Sequence, residues 1–222
     1  MLVLTVFFGL YTGLPWLAPV FMKLGWTGPA TIIYLIYSTQ CHQLPERSFF
    51  LFGPKTMWSL SEIQQHWQTT GSPFILRQFI GNAEMGWKVA WSDRMVSLYG
   101  GMFVASLGYG LSRRTGKPMP WWIALLVAAP MVIDGSTHFV SDLAGLGQGF
   151  RDSNAWLATL TNHVLPAMFY SGDALGSFNS WMRLITGGLF GVAIVAFAYP
   201  YLDAALGTLG DHVRHLQAVE HP

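Results

Sequence analysis

Apolar and polar positions divide this chain into five long apolar runs separated by two mixed stretches. Met1 to Met22 is the first run, long enough to cross a hydrocarbon core of about 30 Å, which takes roughly twenty residues. It lacks a positive leading segment and a small-residue cleavage site, so it reads as a span rather than a signal peptide. Pro29 to Gln40 is shorter; it crosses only if Lys23 to Gly28 turns the chain and the helix continues into Cys41 and His42, with a re-entrant helix as the alternative. Arg94 to Leu111, Trp121 to Asp142 and Trp181 to Leu202 complete the set. The pattern predicts an all-α polytopic membrane bundle of about five transmembrane helices, a single domain over residues 1–222.

Between the runs, residues 43–92 form an outer loop in which charges are scattered among aromatics. Ser59 to Trp67 opens with Ser-x-x-Glu, a capping-box pattern that predicts a short interfacial helix. Residues 143–180 form a second loop, Gly-rich at first and then apolar over AWLATLTNHVLPAMF, a stretch too short to span and read as an interfacial helix. In the third run Ser97, Gly100, Gly101, Ala105, Gly108 and Gly110 offer a small-residue face for close helix packing.

Polar residues inside the runs carry the candidate chemistry. Asp134, His138 and Asp142 recur at steps of four, so a helix lines them along one face. Asp134 then sits roughly 12 Å deeper than Asp142, at 1.5 Å per residue. Ionisable groups at such depth turn toward a cavity, a partner or an ion.

Composition narrows the function classes. Hydrophobic residues make up 52% and charged residues 10% of the 222 positions, against roughly a quarter charged in a soluble domain. A net charge of +1 provides no basic field to recruit nucleic acid. Cys41 is the single cysteine, which excludes an intrachain disulfide framework and a Cys-x-x-Cys metal site. Arg113, Arg114 and Lys117 cluster between two runs and mark that loop as cytoplasmic by the positive-inside rule. Counting crossings from it puts the amino terminus outside, the carboxyl-terminal tail at Asp211 to Pro222 inside, and the polar patches around Cys41, Arg94, Asp142, Arg151 and Arg183 together at the outer boundary.

The segments CHQLPERSFFLFG, KVAWSDRMVSLYGG, APMVIDGSTHF and SFNSWMRLITGGLFG resemble an uncharacterised family of small prokaryotic integral membrane proteins, a domain of unknown function. The Cys-His-Gln block with Arg-Ser-Phe is the most specific part of the resemblance. It points to Cys41, His42, Gln43, Pro45, Arg47 and Ser48, to Arg94, Tyr99 and Gly101, to Asp134 and Gly135, and to Arg183, Thr186 and Gly187. By the same resemblance a cysteine often stands near the position of Ser92, where it can pair with or ligate beside the first-block cysteine; here it is missing. The position of His138 is often glutamine. The resemblance implies a prokaryotic cell membrane and supplies no activity, substrate or cofactor.

Several chemistries suit these residues. Asp134, His138 and Asp142 with His42 or Cys41 would make a ligand set for zinc or another divalent ion, able to activate water against a lipid or polyprenyl-phosphate substrate. In that reading Asp134, His138 and His42 are the catalytic candidates. His42, His138 and His163 include enough imidazoles for two haem axial ligands. Arg47, Arg94 and Arg183, with Arg151, suit a phosphate or lipid headgroup. Alternatively Asp134 pairs with Arg94 or Arg183 and locks helices together. The sequence thus supports a structural, accessory or lipid-binding membrane component, with a metal-dependent intramembrane hydrolase or transferase as the alternative. Membrane lipid and protein subunits are the expected partners, the latter suggested by the aromatic content of Phe49 to Trp58.

Overall fold

A computed structural model describes residues 2–112 and 118–220, with residues 209–220 described as backbone alone. Arg113, Arg114 and Lys117 lie outside the described residues, as do the side chains of the carboxyl-terminal tail. Three helices are long and apolar enough to cross a membrane: α1 (Leu2–Lys23), α6 (Trp121–Asp142) and the Phe178–Thr208 part of α10 (Phe178–Glu220). The described residues are mostly helical, but two of the five expected spans do not meet that measure. The second run forms α2 (Thr27–Ser38), whose 12 residues reach only about 18 Å. The third forms α5 (Asp93–Leu111), a helix of adequate length whose mean hydropathy is lowered by charged and small residues.

α6 shows why these helices belong in lipid. It exposes Leu125, Leu126, Val132, Ile133, Phe139 and Val140 while burying Asp134, His138 and Ser141. A helix that is polar inside and apolar outside inverts the soluble arrangement and is stable only where its surroundings are apolar.

An all-helical fold is corrected at residues 43–92. After a 3₁₀ turn at Pro45–Arg47, strands β1 (Ser48–Leu51), β2 (Gly81–Asn82) and β3 (Gly86–Ser92) form an antiparallel sheet in the order β1-β3-β2. Its pairing sets Ser48 opposite Ser92 and Phe50 opposite Lys88. β3 is the central strand and shows no alternation, because it is buried along almost its whole length and packs against α1 and α2. Trp91 stacks on Tyr99 at 4.6 Å and meets Tyr37 edge-on at 5.0 Å. Lys88, fully buried, hides the strand in the sequence; its ammonium donates to the carbonyls of Gln43 (2.8 Å) and Arg77 (2.7 Å).

The small core holds Leu44, Phe50, Trp58, Ile63, Leu76, Phe79, Met85 and Leu146. It lies under α3 (Leu60–His66), which carries the expected Ser59/Glu62 capping box, and α4 (Pro73–Leu76). Phe50 and Trp58 are therefore covered by this chain itself, and Phe49 stacks on Trp16. The aromatic content that suggested a partner is largely spent internally. The apolar stretch of the second loop is broken into α8 (Ala155–Leu160) and α9 (Ala167–Tyr170), preceded by α7 (Phe150–Ser153).

α5 packs parallel to α10 on the expected small-residue face, though only part of it is used. A Cβ on Gly101 would meet the Gly188 carbonyl oxygen at 2.7 Å, and one on Gly191 would meet the Leu98 carbonyl oxygen at 2.1 Å, whereas Gly100, Gly108 and Gly110 face open space. Ser106 and Tyr199 hydroxyls close the same seam at 2.7 Å. α1 runs antiparallel to α5, with Tyr11 on Tyr99 (4.9 Å), Gly9 against Phe103, and Leu4 and Phe8 on the cluster of Leu98, Met102, Val195 and Tyr199. The amino end of α1 and the carboxyl end of α5 therefore lie at one end of the bundle. The expected layout put them on opposite faces; α2 is too short to make the crossing that layout required.

Replacing Gly191 by Leu is expected to separate α5 from α10 and lower the melting temperature of the detergent-purified protein sharply, by overpacking worth about 1–3 kcal/mol or more. Gly110→Ala, in open helix, is expected to be neutral or stabilising by about 0.5–1 kcal/mol. Equal melting temperatures for the two variants would contradict this packing.

Candidate functional site

The first residues of α5 and α10, the last turns of α6, the 3₁₀ turn and α7 meet at one end of the bundle. Each brings charge. Asp93 and Arg94 open α5, Asp134, His138 and Asp142 close α6, and Arg183 lies in the second turn of α10. Arg47 comes from the 3₁₀ turn, Arg151 from α7, and Asp173 from the loop before α10.

The four arginines and four aspartates form two chains of ion pairs. Arg47 holds Asp142 with two bonds of 2.7 Å and, through Nε, Asp173 at 2.8 Å. Arg183 joins Asp173 (2.5 Å) to Asp93 (2.8 Å). Asp134 accepts from Arg94 and from Arg151, each at 2.7 Å. His138 lies between the two chains: Nδ1 is 3.5 Å from Asp134 and Nε2 is 3.6 Å from Asp173. Burial raises the Asp173 carboxyl, but the Arg47 and Arg183 guanidinium groups outweigh it and hold Asp173 well below the usual carboxylate range.

A cavity of about 320 Å³ opens beside this network, lined on the polar side by His42, Arg47, Arg94, His138 and Arg183, and on the apolar side by Met95, Met131 and Phe139. Cys41, His42, Arg47, Arg94, His138, Asp142 and Arg183 thus share one mouth, as the sequence reading expected. Asp134 is held just behind it, and His42 is exposed at the rim. His42 and His138, two of the imidazoles considered for haem, line this cavity, and His163 does not.

The metal-ligand set is not assembled. Among the described residues no three His, Cys, Asp or Glu side chains are arranged to hold an ion. The reason is local, since each carboxylate meets guanidinium groups rather than other ligands. Cys41 is also occupied: its sulfur accepts from the amides of Gln43 and Ser92, both at 3.4 Å, and lies 3.5 Å from the Ser92 hydroxyl. That neighbour occupies the position where the resemblance implied a second cysteine. Asp134 pairs with Arg94 as one reading expected, while Arg183 serves Asp93 and Asp173 instead.

Two arginine-free groups flank the network. Glu46 is 2% exposed, and neither carboxylate oxygen has a hydrogen-bond partner. Burial pushes its carboxyl up to about 7, with Arg47 acting in the opposite direction. Burial also pushes the Lys88 ammonium down to about 7, against the attraction of Glu46. Asp173 was not singled out in the sequence; its only signal is an isolated acid in the Gly-rich segment SGDALGS.

Residues 83–197 match the model of a family described as "Predicted membrane protein (DUF2085)". The matched region contains Asp93, Arg94, Asp134, Arg151, Asp173 and Arg183 of the network. Among curated proteins, the chain is similar to the uncharacterized protein MJ1492 of Methanocaldococcus jannaschii, 25% identical over 166 residues that cover 69% of this chain and 82% of the relative. No solved structure matches.

Asp134→Asn leaves Arg94 and Arg151 buried beside a neutral amide, and is expected to cost about 3–5 kcal/mol and most of the monodisperse yield on size-exclusion chromatography. Asp142→Asn, at a carboxylate 26% exposed whose partner Arg47 keeps Asp173, is expected to cost about 1 kcal/mol. Equal yields would contradict the central place of Asp134. The pH profile of the melting temperature is expected to pass through a minimum near 7. Glu46 has its folded pKa raised, so its contribution is complete below its ordinary range and is lost as pH rises through about 7. Lys88 has its folded pKa lowered, so its contribution is present at high pH and is lost as pH falls through about 7. Glu46→Gln should abolish the acid limb alone, which differential scanning fluorimetry from pH 4.5 to 9 reads directly, in a range of about 3 kcal/mol.

Proposed function

As this chain belongs to the DUF2085 family of membrane proteins, we propose that it is a non-catalytic membrane component whose polar cavity holds the anionic headgroup of a lipid. The observation that carries this reading is the division of labour among the guanidinium groups. Arg47, Arg151 and Arg183 are spent on aspartates, whereas Arg94 gives Nη2 to Asp134 and leaves a buried Nε with no partner beside the cavity. A phosphate oxygen is the natural acceptor for such a donor. His42 at the rim adds a further donor, and Met95, Met131 and Phe139 offer an apolar wall to the first carbons of an acyl chain.

A hydrolase would need a base beside this cavity, and the unpartnered carboxylate of Glu46 lines a different one. The carboxylates closest to the cavity are neutralised pairwise, which suits a fixed frame rather than proton transfer.

For orientation, we take the basic loop Arg113, Arg114 and Lys117 as cytoplasmic. With α1 antiparallel to α5, that choice puts both the amino end and the carboxyl-terminal helix on the cytoplasmic side and the cavity at the outer leaflet.

Arg94→Gln keeps Asp134 paired with Arg151 and removes the free donor. Bound phospholipid, measured as phosphate per mole of protein purified in mild detergent, is expected to fall, with about tenfold weaker retention in a titration with phosphatidylglycerol, the loss of one charge-assisted bond. Unchanged lipid content in a well-folded Arg94→Gln protein would overturn the reading.

A further inference from the structure

A second cavity, of about 470 Å³, lies on the other side of the 3₁₀ turn, and its character is opposite to the first. Its polar lining is Glu46, Asp152, Asp173, Ser59, Gln64 and Gln148, and among the described residues no lysine, arginine or histidine lines it. Arg47 and Glu46 are neighbours in the chain, yet Arg47 lines the first cavity and Glu46 the second.

Three facts define what this cavity can take. Glu46 is almost wholly buried and both of its oxygens lack a hydrogen-bond partner. A buried acceptor left without a donor is costly, so such a group marks a site where a donor is brought from outside. Asp152 uses one oxygen on the Gly149 amide at 2.8 Å, while Asp173 is already bound by Arg47 and Arg183. The cavity therefore keeps acceptors from Glu46 and Asp152, supplemented by hydroxyl and amide oxygens, and no competing cation of its own. Three N–H donors on a compact positive charge match that set. The volume also far exceeds that of a bare ion, which leaves space for the carbon body of an organic ligand.

We propose that this cavity binds a primary ammonium group, carried by a soluble amine or by an aminophospholipid headgroup, with Glu46 as its counter-ion and Asp152 as the second acceptor. This site is independent of the anionic-headgroup reading and is tested on different residues.

Charged groups facing Glu46 set the pH dependence. Arg47 on its own turn and Lys88 on β3 favour its ionised form, while Asp173 and burial oppose it. Ammonium binding is accordingly expected to strengthen as pH rises from 6 to 8.

The test uses the full chain in detergent and, separately, in nanodiscs. Calorimetric titration with putrescine and ethanolamine is expected to show saturable binding, weakened at least tenfold in Glu46→Gln and measurably in Asp152→Asn, both checked for an intact melting transition. Choline, which lacks N–H donors, should compete poorly. If soluble amines are silent but nanodiscs of phosphatidylethanolamine, and not phosphatidylcholine, stabilise the wild type and not Glu46→Gln, the ammonium is lipid-borne and the proposal stands. No Glu46-dependent response to either source overturns it, as does stabilisation by magnesium or calcium with none by amines. The Arg94→Gln protein should bind amines like the wild type, so failure of one site leaves the other legible.

Discussion

The buried pairing of Asp134 with Arg94 and Arg151 is the constraint around which the polar end of this bundle is arranged. An aspartate two turns inside a membrane helix is tolerated only with its charge compensated and its oxygens bonded. Arg94 supplies one bond from α5 and Arg151 the other from α7, so one carboxylate draws the start of one long helix and a short outer helix onto the end of another. The remaining pairs extend the same logic. Arg183 ties α10 to α5 through Asp93 and to its own preceding loop through Asp173, and Arg47 fastens the sheet-bearing segment to both Asp142 and Asp173. Four positive and four negative side chains leave the network neutral, which is the form in which so many charges can be sequestered together.

Two cavities border this network, and their linings differ in charge. The first borders the side of the network where a guanidinium nitrogen is left over, and the second borders the side where a carboxylate is left over. A charge-balanced partition separates a recess lined by arginines from one lined by carboxylates. Its rigidity follows from geometry, because each pair is made between different elements and none can shift without breaking a buried bond. The close backbone contact of α5 with α10 at Gly101, Gly187 and Gly191 fixes the helices that carry Asp93, Arg94 and Arg183. Small residues there do in lipid what apolar side chains do in a water-soluble core, letting van der Waals contact accumulate.

The amino-terminal half adds a constraint of a different kind. β3 runs directly into α5, so the strand and the first charged residues of the site are one continuous piece of backbone. Cys41 pins the junction of strand and helix through the Ser92 amide, and Gln43 reaches the carbonyls of Tyr34 (3.0 Å) and Ala90 (2.9 Å) to hold the loop against it. The Cys-His-Gln block is thereby explained as a clamp on the junction, with His42 left facing outward.

Much of this protein is determined by sequence alone. Composition and run length establish a membrane protein, and the spacing of Asp134, His138 and Asp142 predicts a polar helix face that the fold buries. The boundaries of α5 and α6 and the capping box at Ser59 follow from local chemistry, which acts over three or four residues and is therefore readable in one dimension. Three things are decided only in three dimensions. The sheet is invisible because β3 is buried on both faces and carries Lys88, whose charge is satisfied by distant carbonyls rather than by any neighbour in sequence. The direction of α1 depends on whether α2 crosses, a question of length and contact rather than of apolarity. Above all, whether Asp134 and His138 serve an ion or an arginine depends on which residues meet them across the bundle. Arg151 and Asp173 reach that meeting point through loops whose paths no periodicity encodes.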